Sequence, residues 1–351
     1  MKKSLFFLAT AAVVLAGCNK DVKIAENVVP AGANAQKEIA FSPLSQKAHY
    51  LPGIKKAAID GTTFPTTLDM MVTAYQVEAT GGAAGVYFDA TPYIYQYAGG
   101  AASGAGSYWG GNPARYWPLT PAYINFLAIA NANADNATGV TWGTNKADQA
   151  TIVMADNSSA QRDLMYAIGN GEVTQSGNTL TFPAKVDMTF YHAQAWIDFK
   201  VKAKTTVETA IKVNSITLTG AKYNGTYTIT HTNYNAKTSQ SVAGAWSALG
   251  DAQNIDVPGW TPATNLTTSF VTVGNGLMVV PDDAATGDFT SFTINYTFDG
   301  KDYEYTYTPA STQVEQKKHY IYEITFQLHE IFINPSVEDW ADQTATELTI
   351  Q

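Results

Sequence analysis

Ser291-Phe292-Thr293-Ile294-Asn295-Tyr296-Thr297-Phe298-Asp299-Gly300-Lys301-Asp302-Tyr303-Glu304-Tyr305-Thr306-Tyr307 spells out a hairpin. Asp299-Gly300 lies between two runs of period two: Phe292, Ile294, Tyr296 and Phe298 before it, Lys301, Tyr303, Tyr305 and Tyr307 after it. A two-residue type I′ loop needs residues that tolerate positive φ, and Asp-Gly supplies them. The loop fixes the register. Tyr296 faces Tyr303, Ile294 faces Tyr305 and Phe292 faces Tyr307, which puts aromatic cross-strand pairs on one face.

The same period extends outward. After the Lys317-Lys318 turn, Tyr320, Tyr322, Ile324, Phe326 and Leu328 alternate with Ile321, Glu323, Thr325, Gln327 and His329. Upstream, Phe190 to Lys202 reads as one half-buried strand: Tyr191, Ala193, Ala195, Ile197, Phe199 and Val201 point one way, His192, Gln194, Asp198, Lys200 and Lys202 the other. Trp196 breaks the polar face, so another element is expected to cover part of it. Leu68, Met70, Val72 and Ala74 alternate until the phase shifts at Met71 and Tyr75, which suggests a bulge. Near the start, Ile39 and Phe41 alternate with Glu38, Ala40 and Ser42. No stretch between Ala57 and Gln351 sustains a long amphipathic helix. Short strands bounded by Gly, Asn, Thr and Pro predict an all-β chain of two tandem antiparallel β-sandwiches, at 57–204 and 205–351.

The bulk numbers agree with a folded chain. It has 351 residues, 45% hydrophobic and 15% charged, enough for one large core or two ordinary ones. Eight of the 21 basic residues and three of the 30 acidic ones fall in the first 56 positions, leaving 13 basic against 27 acidic side chains. Only Arg115 and Arg162 are arginines. That balance argues against nucleic acid as a partner.

The single cysteine, Cys18, makes neither an intramolecular disulfide nor a cysteine metal cluster. Its setting explains it. Lys2 and Lys3 precede an apolar stretch from Leu5 to Ala16, and Leu15-Ala16-Gly17 stands directly before the cysteine, the arrangement of a secretory signal over residues 1–17. A stretch of twelve residues is too short to span a bilayer. Leu15-Ala16-Gly17-Cys18 resembles a bacterial lipobox, which implies cleavage before Cys18, acylation of its thiol and stable membrane anchoring. Residues 19–36 carry charges and small residues without apolar periodicity and read as a tether.

Catalytic constellations do not stand out. His49, His192, His231, His319 and His329 lie far apart, and none forms an H-x-x-x-H or H-E-x-x-H spacing. His192 reads as a structural histidine. Gly99 to Gly111 lacks the Lys-Ser/Thr ending of a phosphate loop and the Gly-x-Ser-x-Gly of a hydrolase elbow, and reads as a flexible loop. Asp282-Asp283 after Pro281 reads as a solvated turn, with paired carboxylates or a metal site as the other reading. Neither a catalytic residue, nor a metal, nor a cofactor is expected.

Several patches, in order, resemble the fimbrillin family, subunits of Bacteroidales-type (type V) pili. They are the lipobox at Cys18, the Ile39-x-Phe41 strand, a basic site before small residues and Thr63-Phe64-Pro65, and the strand ending Thr73-Ala74-Tyr75. Next come Tyr116-Trp117-Pro118 with Tyr123 to Ala128, then Phe190 to Phe199, Leu277 to Pro281, and Val337-Glu338-Asp339-Trp340. The resemblance implies transthyretin-like, Greek-key sandwiches after a lipoprotein signal. The Lys and Asp residues just after Cys18, in Asn19-Lys20-Asp21-Val22-Lys23, are similar to surface-export signals of such lipoproteins and imply an outer-membrane precursor.

The resemblance also implies a mechanism. A maturation protease of trypsin type cuts after the first strand; here the matching site is Lys55-Lys56 before Ala57, with Lys where the family has Arg. The cut releases residues 18–56, anchor and Ile39/Phe41 strand together, and opens a groove that another subunit's strand fills. Thr346, Leu348 and Ile350 alternate with Ala345, Glu347, Thr349 and Gln351 and resemble the family's donor strand; the same tail is also readable as an edge strand of its own domain. The expected partners are other fimbrial subunits, the outer membrane through the lipid, the protease, and a host or bacterial surface receptor. The alternative reading is a lipid-anchored glycan-binding protein or pilus tip adhesin, with Trp109 and Trp117 as stacking platforms.

Overall fold

The hairpin forms in the expected register. In a computed structural model of the chain, Asp299 and Gly300 have φ of 50° and 71°, and Phe292, Ile294 and Tyr296 stand opposite Tyr307, Tyr305 and Tyr303. The structure describes residues 37–45, 64–77, 84–88, 93–98, 108–130, 139–159, 161–206, 210–262, 265–282, 287–327 and 330–339. Among these residues the regular structure is strand, and no α-helix occurs.

The first half of the chain gives β1 (Ala40–Ser45), β2 (Met70–Val77), β3 (Gly85–Val86), β4 (Tyr93–Tyr97), β5 (Trp109–Asn112), β6 (Ala122–Ala130), β7 (Val140–Trp142), β8 (Gln149–Met154), β9 (Met165–Ser176), β10 (Thr179–Thr181) and β11 (Val186–His192). The second half gives β12 (Ala195–Ala203), β13 (Lys212–Ala221), β14 (Gly225–Thr232), β15 (Ser241–Ser247), β16 (Gln253–Asp256), β17 (Val271–Thr272), β18 (Leu277–Val279), β19 (Ser291–Phe298), β20 (Lys301–Tyr307), β21 (Lys318–Gln327) and β22 (Glu330–Asp339).

Seven of these strands close on themselves. The pairings β1–β11, β11–β9, β9–β6, β6–β2, β2–β4, β4–β5 and β5–β1 complete a ring. Closure removes the exposed edges that an open sheet would leave. Every contact in the ring is antiparallel except β1–β11. Ile39, Phe41, Tyr95, Ile124, Phe126, Met188 and Phe190 fill its interior.

A four-stranded sheet, β7-β8-β14-β15, covers part of the outside. Leu127 and Ile129 of β6 and Met71 of β2 meet Ile152 of β8 and Tyr227 and Ile229 of β14 there. This explains two features of the sequence. Residues 126–130 form a continuous apolar run because β6 is buried on both faces. The phase shift in β2 has the same cause: the β2–β6 register runs unbroken from Met70↔Ala130 to Val77↔Tyr123, so the expected bulge is absent and both faces are buried.

The rest is a sandwich. A sheet ordered β17-β12-β21-β22, with β18 beside β12, faces a sheet ordered β16-β13-β19-β20. Phe199, Ile216, Phe292, Tyr322 and Ile324 lie in the core between them. The β12–β21 pairing is parallel over eight residue pairs.

Two expectations need correction. The strand expected over Phe190 to Lys202 is two strands, broken at Ala193-Gln194. Phe190 faces the barrel interior, whereas Ile197, Phe199 and Val201 face the sandwich core; alternation alone cannot reveal that the two ends serve different cores. The sheets also do not divide at residues 204 and 205. β12 pairs only with later strands, and β14 pairs with β8 across that position.

Polar side chains tie the break together. The His192 Nδ1 lies 2.9 Å from both carboxylate oxygens of Asp163, Gln194 Oε1 accepts the Leu164 N–H at 2.9 Å, and Gln161 Oε1 accepts the Met278 N–H at 2.6 Å. Trp196 stacks on His319 at 3.8 Å between ring centroids, so the expected cover on the polar face is present.

Candidate assembly site

The seat of β1 is where the sequence-predicted site meets the architecture. Ile39 and Phe41 are both 0% exposed. The Phe41 ring meets Tyr95 and Phe126 edge-on, at 4.6 Å and 5.1 Å between centroids, a favoured geometry for aromatic pairs. Leu44, pointing outward, is 48% exposed.

The strand does not sit at an edge, as an exchangeable piece is expected to. It lies between β5 and β11. Its pairing is staggered, however. On one side Glu38 bridges Tyr116, the Ile39 N–H donates to the Arg115 carbonyl at 2.7 Å, the Trp117 N–H donates to the Lys37 carbonyl at 2.9 Å, and Ala40 and Phe41 stand opposite Gly110 and Trp109. On the other side Phe41 to Ser45 run parallel to Val186 to Phe190. Phe41 alone among these residues has a strand partner on both sides.

The start of the seat is polar. The Glu38 carboxylate accepts the Gly111 N–H, and burial pushes its pKa above the usual carboxylate value. Gly110 makes room for it, since a Cβ there would lie 3.0 Å from Glu38 Oε1 and 3.1 Å from the Tyr108 ring. Burial, then the Glu38 charge, holds the Tyr95 phenol well above its ordinary pKa, with Arg115 acting the other way. The Arg115 guanidinium lies 3.5 Å over the Tyr93 ring. Tyr95 Oη, Arg115 Nε and Trp117 Nε1 are buried with no hydrogen-bond partner.

Trp109 and Trp117 are not stacking platforms. Trp109 is 6% exposed, donates from Nε1 to the Leu68 carbonyl at 3.1 Å and edges against Phe64. Trp117 is 1% exposed and lies over Gly171, where a Cβ would collide with the indole ring. Both indoles fill the barrel, leaving no face for a sugar. Asp282 forms an ion pair with Lys222 at 2.5 Å; Asp283 lies outside the described residues. His192 is buried against Asp163, as a structural histidine is. Among the described residues no group of three His, Cys, Asp or Glu side chains is placed to hold a metal, and no helix is long and apolar enough to cross a membrane. Cys18, Lys56, Ala57, Thr346, Leu348 and Ile350 all lie outside the described residues.

Glu38, Gly110, Gly111 and Arg115 escaped the sequence reading. The two glycines close a Gly-rich segment that reads as loop. Arg115 had one signal, its rarity.

An all-β body with a barrel closed by its first strand, carried behind a lipobox, defines a class: an exported, lipid-attached surface β-protein. Within that class the chain belongs to the fimbrillin-like family, which matches residues 57–340. A prokaryotic membrane lipoprotein lipid attachment site matches residues 1–19. No protein of curated function matches the sequence. Similar solved structures include a candidate cell adhesion protein from Bacteroides uniformis, 16% identical over 86% of this chain and 99% of that one, with a TM-score of 0.49. A fimbrial protein from Bacteroides vulgatus is 16% identical over 77% and 92%, at a TM-score of 0.46. The fimbrial anchor protein Mfa2 from Porphyromonas gingivalis is 10% identical over 87% and 98%, at 0.32.

Proposed function

We propose that this chain is a structural, non-catalytic fimbrial subunit in which β1 is a placeholder, removed by proteolysis after Lys56 and replaced by a strand from another subunit. The observation that carries this reading is the staggered pairing of β1: it closes the barrel, yet only Phe41 is paired on both sides. Freeing it breaks two short half-ladders instead of two full ones.

Its loss leaves a strong vacancy. Withdrawing Ile39 and Phe41 exposes the pockets of two fully buried side chains, at about 2–3 kcal/mol each, together with the backbone groups of β5 and β11 that β1 satisfies. An open barrel of this kind accepts an extended segment by strand addition. In this reading Cys18 carries the lipid that holds the precursor at the outer membrane, Thr346, Leu348 and Ile350 supply the donor strand, and the fibre serves adhesion to a surface receptor.

Limited trypsin digestion of the precursor tests it. The expected result is a new N-terminus at Ala57, release of residues 18–56 and a ladder of polymers. Processed protein that remains monomeric at high concentration, with the released piece dissociated, overturns the reading.

A further inference from the structure

Removal of β1 takes more than apolar side chains from the barrel. It also takes Glu38, whose carboxylate lies in a nest made by the Gly111 N–H and the space left by Gly110. What remains is the Gly111 N–H without its acceptor, beside the space that Gly110 leaves for a carboxylate. Buried donors without an acceptor are costly. An entering strand is therefore selected for an acidic side chain one position ahead of its first inward apolar residue.

The sequence holds such a strand. Glu38-Ile39-Ala40-Phe41 is an acid, an apolar residue, a small residue and an apolar residue, and Glu347-Leu348-Thr349-Ile350 repeats the pattern. The third position must be small because Ala40 is buried opposite Gly110. Related runs at 304–307, 323–326 and 330–333 lie in strands already paired within their own sheets.

Resting on the strand-addition reading, we infer that the tail of a second copy enters with Glu347 in the place of Glu38, so that Leu348 takes the Ile39 pocket and Ile350 the Phe41 pocket. Glu347 is then the residue that sets the register. A slip by one residue turns the apolar pair outward, and a slip by two leaves the Gly111 N–H without a carboxylate.

Cysteine pairs in the processed full chain read the register directly. In the proposed alignment Gln351 takes the place of Ser42, the partner of Asp187, whereas Thr189 is the partner of Leu44, two residues further on. Directly opposed strand positions are within reach of a disulfide. Cys18 leaves with the released piece. On oxidation, Asp187→Cys with Gln351→Cys is expected to give a ladder that collapses on reduction, and Thr189→Cys with Gln351→Cys about tenfold less of it. Glu347→Gln is expected to slow polymer formation about tenfold, the scale of one lost hydrogen bond to a charged group, and Glu347→Lys to stop it. Melting of each unprocessed variant checks that its folded body is intact. Polymers of the unaltered protein together with cross-linking through Thr189, or with no effect of Glu347→Lys, overturn the register alone. Absence of polymers from the unaltered processed protein overturns the strand-addition reading and the register with it.

Discussion

Phe41 and His231 show how single residues report on different parts of the body. Phe41 fills the barrel only while β1 is present, between Tyr95 and Phe126. Phe41→Ala is expected to destabilise the precursor by about 3–5 kcal/mol through the cavity it leaves, and to have no effect on the processed protein, as denaturant midpoints of the two forms will show. His231 is buried, with Nδ1 2.8 Å from the Ala147 carbonyl, and burial lowers its pKa from the ordinary 6.5. The unfolded chain then binds the proton more tightly than the folded one, so stability present above pH 6.5 falls on acidification. Melting temperatures of the protein and of His231→Asn, compared between pH 7.5 and 5, are expected to converge as the pH drops. At this scale the sequence was legible where a residue type has one common fate. His192, facing away from an apolar stripe, reads as structural and is found buried against Asp163. Trp109 and Trp117 carry no such mark, because an indole in a core and one on a surface look alike in a sequence.

Among the elements, the β19–β20 hairpin was readable with its register because a two-residue loop leaves one pairing available. Gly300 has φ of 71°, and a Cβ added there would meet nothing within 4 Å. Gly300→Ala therefore adds no clash, and is expected to cost about 1–2 kcal/mol from the left-handed backbone alone, measurable as a lower denaturant midpoint. Strands whose partners are distant were legible only as strands. The period of two in β1 announces an extended segment, but not that its parallel neighbour is β11 or that the two complete a ring. In β2 and β6 the signal misleads, since burial on both faces removes the alternation that marks a half-buried strand.

For the whole molecule, the pairing of β8 with β14 joins sequence regions that composition gives no reason to connect. A fragment ending at residue 204 retains β8 but lacks β14, leaving Ala150 and Ile152 uncovered on a sheet reduced to β7 and β8. It is expected to aggregate or to bind a hydrophobic dye, whereas the uncut chain, which keeps both β1 and β14, stays soluble and binds none. The place of β1 within the closed barrel, between β5 and β11, has a larger consequence. In the assembly proposed above the donor is a strand and the acceptor a vacated barrel, so each contact joins unlike surfaces of successive copies and repeats without closing on a twofold axis. A filament built in that way would have polarity: one terminus would present an empty barrel, the other an unused donor, and growth at the two would be chemically distinct.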